Sequence, residues 1–228
     1  MCYNSEMSFY FAGAGFLTTI YIYLYENRIV KSGIQYILLF YTIMELLQGF
    51  QYFYVNQCSN IMNKILTEFA YILVLVQPTI WNLFYYANSN SCEQNIFLTG
   101  IWLSIAWIAV QILSRVLYDK ENDPQTKKVS VFASDKVCTK KKLTHLYWEW
   151  TSANFGDFNP NFLTYLLIWF VPALISSKFR MTSLFLIASS IISAIASIVA
   201  KEPFTFTSLW CYVSVPITLY IIFNIFWI

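Results

Sequence analysis

The chain has 228 residues, of which 58% are hydrophobic, 20% aromatic and only 11% charged. Soluble domains carry about 25% charged residues, so this composition excludes a water-exposed enzyme, a nucleic-acid binder and a disordered tail. The net charge of +2 is too small to imply a polyanionic partner. What remains is an all-α, polytopic membrane protein.

A bilayer-spanning helix needs about 20 mostly apolar residues. Seven such spans are read from the sequence, at 7–25, 33–55, 61–86, 96–118, 161–177, 181–200 and 204–228. They contain four charged residues: Glu45, Lys64, Glu68 and Arg115. The expected architecture is a seven-transmembrane-helix bundle forming a single transmembrane domain over residues 1–228. No basic segment precedes the first apolar run at Met7, so the first helix itself is expected to direct insertion.

In the first span, Ala12, Gly13, Ala14 and Gly15 offer a small-residue surface for close packing. In the second span Glu45 lies near the middle, flanked at helical spacing by Tyr41, Thr42, Gln48 and Gly49, of which Thr42 and Gln48 form a polar stripe with it. A carboxylate at that depth is costly unless protonated, paired or facing water. Two readings stay open: a proton-titrating or cation-binding site, or a neutral glutamic acid bonded to another helix. In the third span Lys64 and Glu68 are four residues apart. They suit a local ion pair, or Glu68 lines an entrance to the Glu45 site. Gln77 lies deeper, next to Pro78, whose ring frees the Val74 carbonyl. Pro172 and Pro216 repeat this feature in later spans. The fourth span places Ser104, Trp107, Gln111 and Ser114 on one face, ending at Arg115. The sixth carries Ser189, Ser193 and Ser197 at four-residue spacing, a ridge for helix packing.

Most connections are short, which makes consecutive helices antiparallel neighbours. The exception is 119–160, a polar then aromatic connection. Its Lys-rich first part includes Lys140, Lys141 and Lys142. Its second part contains His145-Leu146-Tyr147-Trp148-Glu149-Trp150, and 143–152 is expected to form an interfacial aromatic helix or re-entrant segment between the fourth and fifth spans. Two orientations stay open. The flanks of the first span, Glu6 before and Arg28 and Lys31 after, favour an outside N-terminus. Lys and Arg near span ends, however, number six on the N-terminal side and four opposite, a small bias toward a cytoplasmic one.

Cys2, Cys58 and Cys138 share one side, Cys92 lies opposite and Cys211 is within a span. In an oxidising compartment a disulfide among the first three is expected; in the cytosol they are thiols. His145 is the single histidine. That excludes bis-histidine haem within one chain and multi-histidine membrane hydrolases. Cys138, His145 and Glu149 are a candidate metal site, set against a structural His in an aromatic segment. A retinal protein is excluded too, because its Schiff base needs a Lys deep in the last span and 204–228 has none. Removal of Met1 would leave Cys2 with an amine and a thiol on one residue.

The opening Met1-Cys2-Tyr3-Asn4-Ser5-Glu6-Met7-Ser8-Phe9 resembles a family of uncharacterised small multi-pass membrane proteins. These occur in large DNA viruses, with relatives in microbes, and begin Met-Cys-x-Ser-x-x-x-Ser-Phe. Asn4 stands here in place of the Ser. Met44-Glu45-Leu46-Leu47-Gln48 looks like the same family. The resemblance implies a viral or microbial multi-pass protein and no known activity.

Three functions are therefore expected to compete. The first is a small proton- or cation-coupled transporter or channel, with Thr42, Glu45, Gln48, Glu68, Gln77 and Gln111 facing one cavity. The second is a non-catalytic scaffold of a virion or organelle membrane. The third is a membrane enzyme using Cys2, Cys138 or His145. The expected partners are the lipid bilayer, an ion or small-molecule substrate and further copies of the chain. No cofactor and no nucleic acid is expected.

Overall fold

The computed structural model describes residues 4–25, 33–121, 137–142, 145–150 and 162–199. Among them are six helices and one two-stranded sheet. The helices are α1 (Ser5–Tyr25), α2 (Ile34–Tyr54), α3 (Ile61–Asn88), α4 (Ser91–Glu121), α5 (Phe162–Ile175) and α6 (Arg180–Val199). The strands are β1 (Cys138–Lys142) and β2 (His145–Glu149), inserted between α4 and α5. Six expected spans thus coincide with helices, their ends shifted by a few residues. The seventh, 204–228, lies outside the described residues.

Among the described residues, three helical segments are long and apolar enough to cross a membrane: Ser5–Tyr25, Ile61–Asn88 and Ser91–Arg115. This corrects the expectation of a seven-transmembrane-helix bundle. The α2 helix has 21 residues, but Gln35, Glu45, Gln48 and Gln51 lower its hydropathy, and all four are buried. The apolar α5 has 14 residues, about 21 Å at 1.5 Å per residue, against a hydrocarbon core of about 30 Å.

The helices pack in sequence. α1 lies on α2, α2 on α3, α3 on both α4 and α5, and α5 on α6. The α1–α2 register follows from two close approaches. A Cβ on Gly15 would overlap the Thr42 side chain, and one on Gly49 would lie 2.9 Å from the Phe9 ring. Gly15 and Gly49 are therefore what permits the seam, whereas Gly13 faces open space.

Aromatic rings fill the centre. Trp81 and Trp169 have centroids 5.9 Å apart, Tyr85 and Phe179 4.7 Å, and Trp107 and Tyr165 5.7 Å. Such pairs add about 0.5–1.5 kcal/mol each beyond area burial. At one end, Glu93 in the first turn of α4 accepts hydrogen bonds from Ser176 Oγ at 2.7 Å and from the Ser177 backbone N–H at 2.8 Å. That ties the start of α4 to the α5–α6 turn.

At the other end the expected aromatic helix at 143–152 is instead a strand. β2 pairs antiparallel with β1, Thr139 opposite Trp148 and Lys140 opposite Tyr147. The physical reason is period-2 anchoring. Trp148 and Trp150, two residues apart, both reach the helices: Trp148 Nε1 donates to Gln51 Oε1 at 3.0 Å and Trp150 Nε1 to the Thr67 carbonyl at 3.0 Å. Leu146 continues this row and is buried. A Cys58–Cys138 disulfide staples β1 to the α2–α3 turn.

Candidate functional site

The polar side chains of the bundle fall into three groups. The first is the α1–α2 seam. Glu45 lies on α2 between Thr42 and Gly49, the two positions that meet α1, and is 8% exposed. Thr42 donates its hydroxyl to the Leu38 carbonyl at 2.7 Å, one turn back on its own helix. Gln48 is buried beside them. Ala12, between the two close approaches of α1, and Ser8, just before them, are buried too.

The second group joins α2, α3 and α5. Gln77 Nε2 and Trp81 Nε1 both donate to the Tyr41 hydroxyl oxygen, at 2.9 and 3.0 Å. Tyr165 donates to Gln77 Oε1 at 2.7 Å. The proline next to Gln77 is accommodated within α3. One turn further on, Asn82 donates to the Pro78 carbonyl at 2.9 Å and to the Ile168 carbonyl at 3.2 Å. Its carboxamide oxygen rests against Gly100 of α4, where no side chain fits.

The third group lies under the hairpin. Arg115 on α4 is fully buried and holds Glu68 on α3 through two hydrogen bonds, both 2.6 Å. Its guanidinium stacks on Tyr71, 4.4 Å from the ring centroid. The Tyr71 hydroxyl donates to Gln111 Oε1 at 3.1 Å, and Trp150 packs on the same ring at 5.2 Å. A bidentate fork of this kind fixes both partners in orientation as well as in charge.

The hairpin closes over this pair through a polar lattice. Asn63 Nδ2 donates to the Tyr54 carbonyl at 2.7 Å and to the Thr139 carbonyl at 2.9 Å. Its Oδ1 accepts from the Thr139 N–H at 2.9 Å. Thr67 and Thr139 share a hydroxyl–hydroxyl bond of 2.7 Å. Asn56, in the left-handed region at φ 63°, a conformation Asn tolerates, accepts from the Lys141 N–H at 2.9 Å. On the outer side Lys140 and Glu149 form a half-buried ion pair, and its hydrogen bond holds the ammonium above the usual lysine range.

The six residues singled out from sequence are thus divided. Thr42, Glu45 and Gln48 belong to α2, with Thr42 and Glu45 on its α1 seam. Gln77 belongs to the Tyr41–Tyr165 network. Glu68 and Gln111 meet through Arg115 and Tyr71. Glu68 is paired with Arg115, 47 residues away on α4. The candidate metal site loses a ligand, because the Cys138 sulfur is bonded to Cys58. Cys2 and the side chain of His145 lie outside the described residues, as does Pro216. Tyr41 enters the sequence reading only as a helix neighbour of Glu45, and Gln51, Asn63, Tyr71 and Tyr165 do not enter it. Asn63, Thr67 and Tyr71 follow one another at four-residue spacing, the signal that marks them as a single face of α3.

Residues 6–226 match the model of a family of unknown function, DUF5765. The chain belongs to that family. No curated protein and no solved structure matches it.

Proposed function

We propose that the protein is a multi-pass membrane protein that exchanges protons or small cations at Glu45. The membrane reading rests on an inverted distribution of polarity. Among the described residues, Leu17, Trp102, Leu113, Ile192 and Ile198 are exposed while Glu45, Gln48, Asn63, Lys64, Gln77 and Arg115 are buried. Apolar side chains on the outside and ionisable ones inside suit a lipid solvent.

The observation that carries the exchange reading is the position of Glu45 at the α1–α2 seam. Glu45 lies behind α1, a helix that packs principally on α2. A small displacement of α1 along its glycine contacts would uncover the carboxyl without disturbing the aromatic centre. A membrane-soluble carbodiimide tests this, since it reacts with protonated carboxyls within membranes. The expected adduct maps to Glu45 by peptide mass and is lost in Glu45→Gln. Labelling confined to other carboxyls contradicts the reading.

A second reading, a scaffold of a viral or microbial membrane, is favoured by the division of the polar residues into three groups. It predicts folded protein with no carbodiimide adduct at Glu45. The enzyme reading has lost Cys138 as a free nucleophile, and it rests on Cys2 and His145 alone.

A further inference from the structure

The cysteines are not equivalent at the two ends of the bundle. Cys58 lies three residues before α3 and is bonded to Cys138 across a sequence separation of 80 residues, with Cα atoms 5.1 Å apart. Cys92 lies four residues beyond the other end of α3 and carries an exposed free thiol. The 28 residues of α3 separate these ends by about 42 Å at 1.5 Å per residue, close to the full thickness of a bilayer with its headgroups. The N-terminal end of α1 belongs with Cys58, since Phe9 meets Gly49 and Gly15 meets Thr42, which sets Ser5 beside the end of α2.

We infer that the hairpin end and the start of α1 face an oxidising compartment, and that the Cys92 end faces the reducing cytosol. Disulfides persist in secretory lumens and outside the cell, and thiols persist in the cytosol. The inference rests on the multi-pass reading above, because only a membrane keeps the two ends in different redox poise. Formation of the bond is balanced by thiol–disulfide exchange. Cys58 and Cys138 together lose two electrons and two protons to an oxidised dithiol carrier, which leaves as its dithiol. The staple then holds β1 on the α2–α3 turn and keeps the Glu68–Arg115 pair covered from that side. This orientation is opposite to the small charge bias of six basic residues against four. That bias is distributed over residues such as Lys64 and Arg115, which are buried in the bundle and so report weakly on flanking charge.

The test is synthesis of the full chain with sealed endoplasmic-reticulum microsomes, whose cytosolic face points outward, followed by a membrane-impermeant maleimide. Cys92 is expected to be modified in sealed vesicles, with the adduct absent in Cys92→Ser. Cys58 and Cys138 are expected to react only after detergent and a reductant together. Modification of Cys58 or Cys138 in sealed vesicles, or of Cys92 only after lysis, overturns the orientation. Extraction of the chain by alkaline carbonate overturns the membrane reading itself. The two failures are therefore distinguishable.

Discussion

Replacing Glu68 by Gln removes the carboxylate paired with a buried guanidinium. Arg115 has no exposed side-chain surface and Glu68 is 15% exposed, so water cannot compensate the lost carboxylate. Breaking a buried pair by removing one partner costs about 3–5 kcal/mol. For a chain of this size each kcal/mol shifts the midpoint by about 2–4 °C, which predicts a fall in Tm of about 10 °C for Glu68→Gln in mild detergent. The assay is thermal unfolding followed by near-ultraviolet circular dichroism, which reports the tryptophan environment around Trp81 and Trp169. The double variant Glu68→Leu/Arg115→Met removes both charges, and its stability is expected to return to within about 1 kcal/mol of the native protein. A loss below about 1 kcal/mol in Glu68→Gln alone is what an exposed pair gives, and it would refute the burial argument.

Four further substitutions probe the seams. Asn63→Ala leaves the Thr139 N–H without its side-chain acceptor, at a cost of about 1–3 kcal/mol; limited proteolysis should then cut between residues 138 and 149 sooner than in the native chain. Gly15→Ala should destabilise the α1–α2 seam by about 1–3 kcal/mol through overpacking against Thr42, while Gly13→Ala, in open space, should be neutral or stabilising by about 0.5–1 kcal/mol. Equal effects of these two in thermal unfolding would contradict the register. Gly100→Ala drives a methyl group into the Asn82 carboxamide and to 3.0 Å from Pro172 Cγ. Its expected cost is again about 1–3 kcal/mol, and unchanged stability would mean that α3, α4 and α5 approach less closely than described.

The helices were legible because apolar runs of about 20 residues have few alternatives, and six of the seven expected spans are helical in the structure. Hydropathy overstated how alike they are. α2 owes its place to neighbours that bury Gln35, Glu45, Gln48 and Gln51, a tertiary fact that composition does not carry. The hairpin was misread because Trp and Tyr favour an interface in either helix or strand. The alternation of Leu146, Trp148 and Trp150 was present, but β1, its partner, lay in a segment read only as Lys-rich. Glu45 was legible as a carboxylate at mid-span depth. The Glu68–Arg115 fork was not, since its partners stand on different helices and no local spacing links them. Gly49 was legible as a close-approach site, though not the Phe9 ring that occupies it.

The most direct test of the exchange reading is proton and monovalent-cation flux into liposomes containing the purified full chain, beside a Glu45→Gln variant of matched fold. Flux in the native protein that disappears in the variant is the predicted result. Equal flux in both, or none from either while both remain folded, would contradict the role assigned to Glu45.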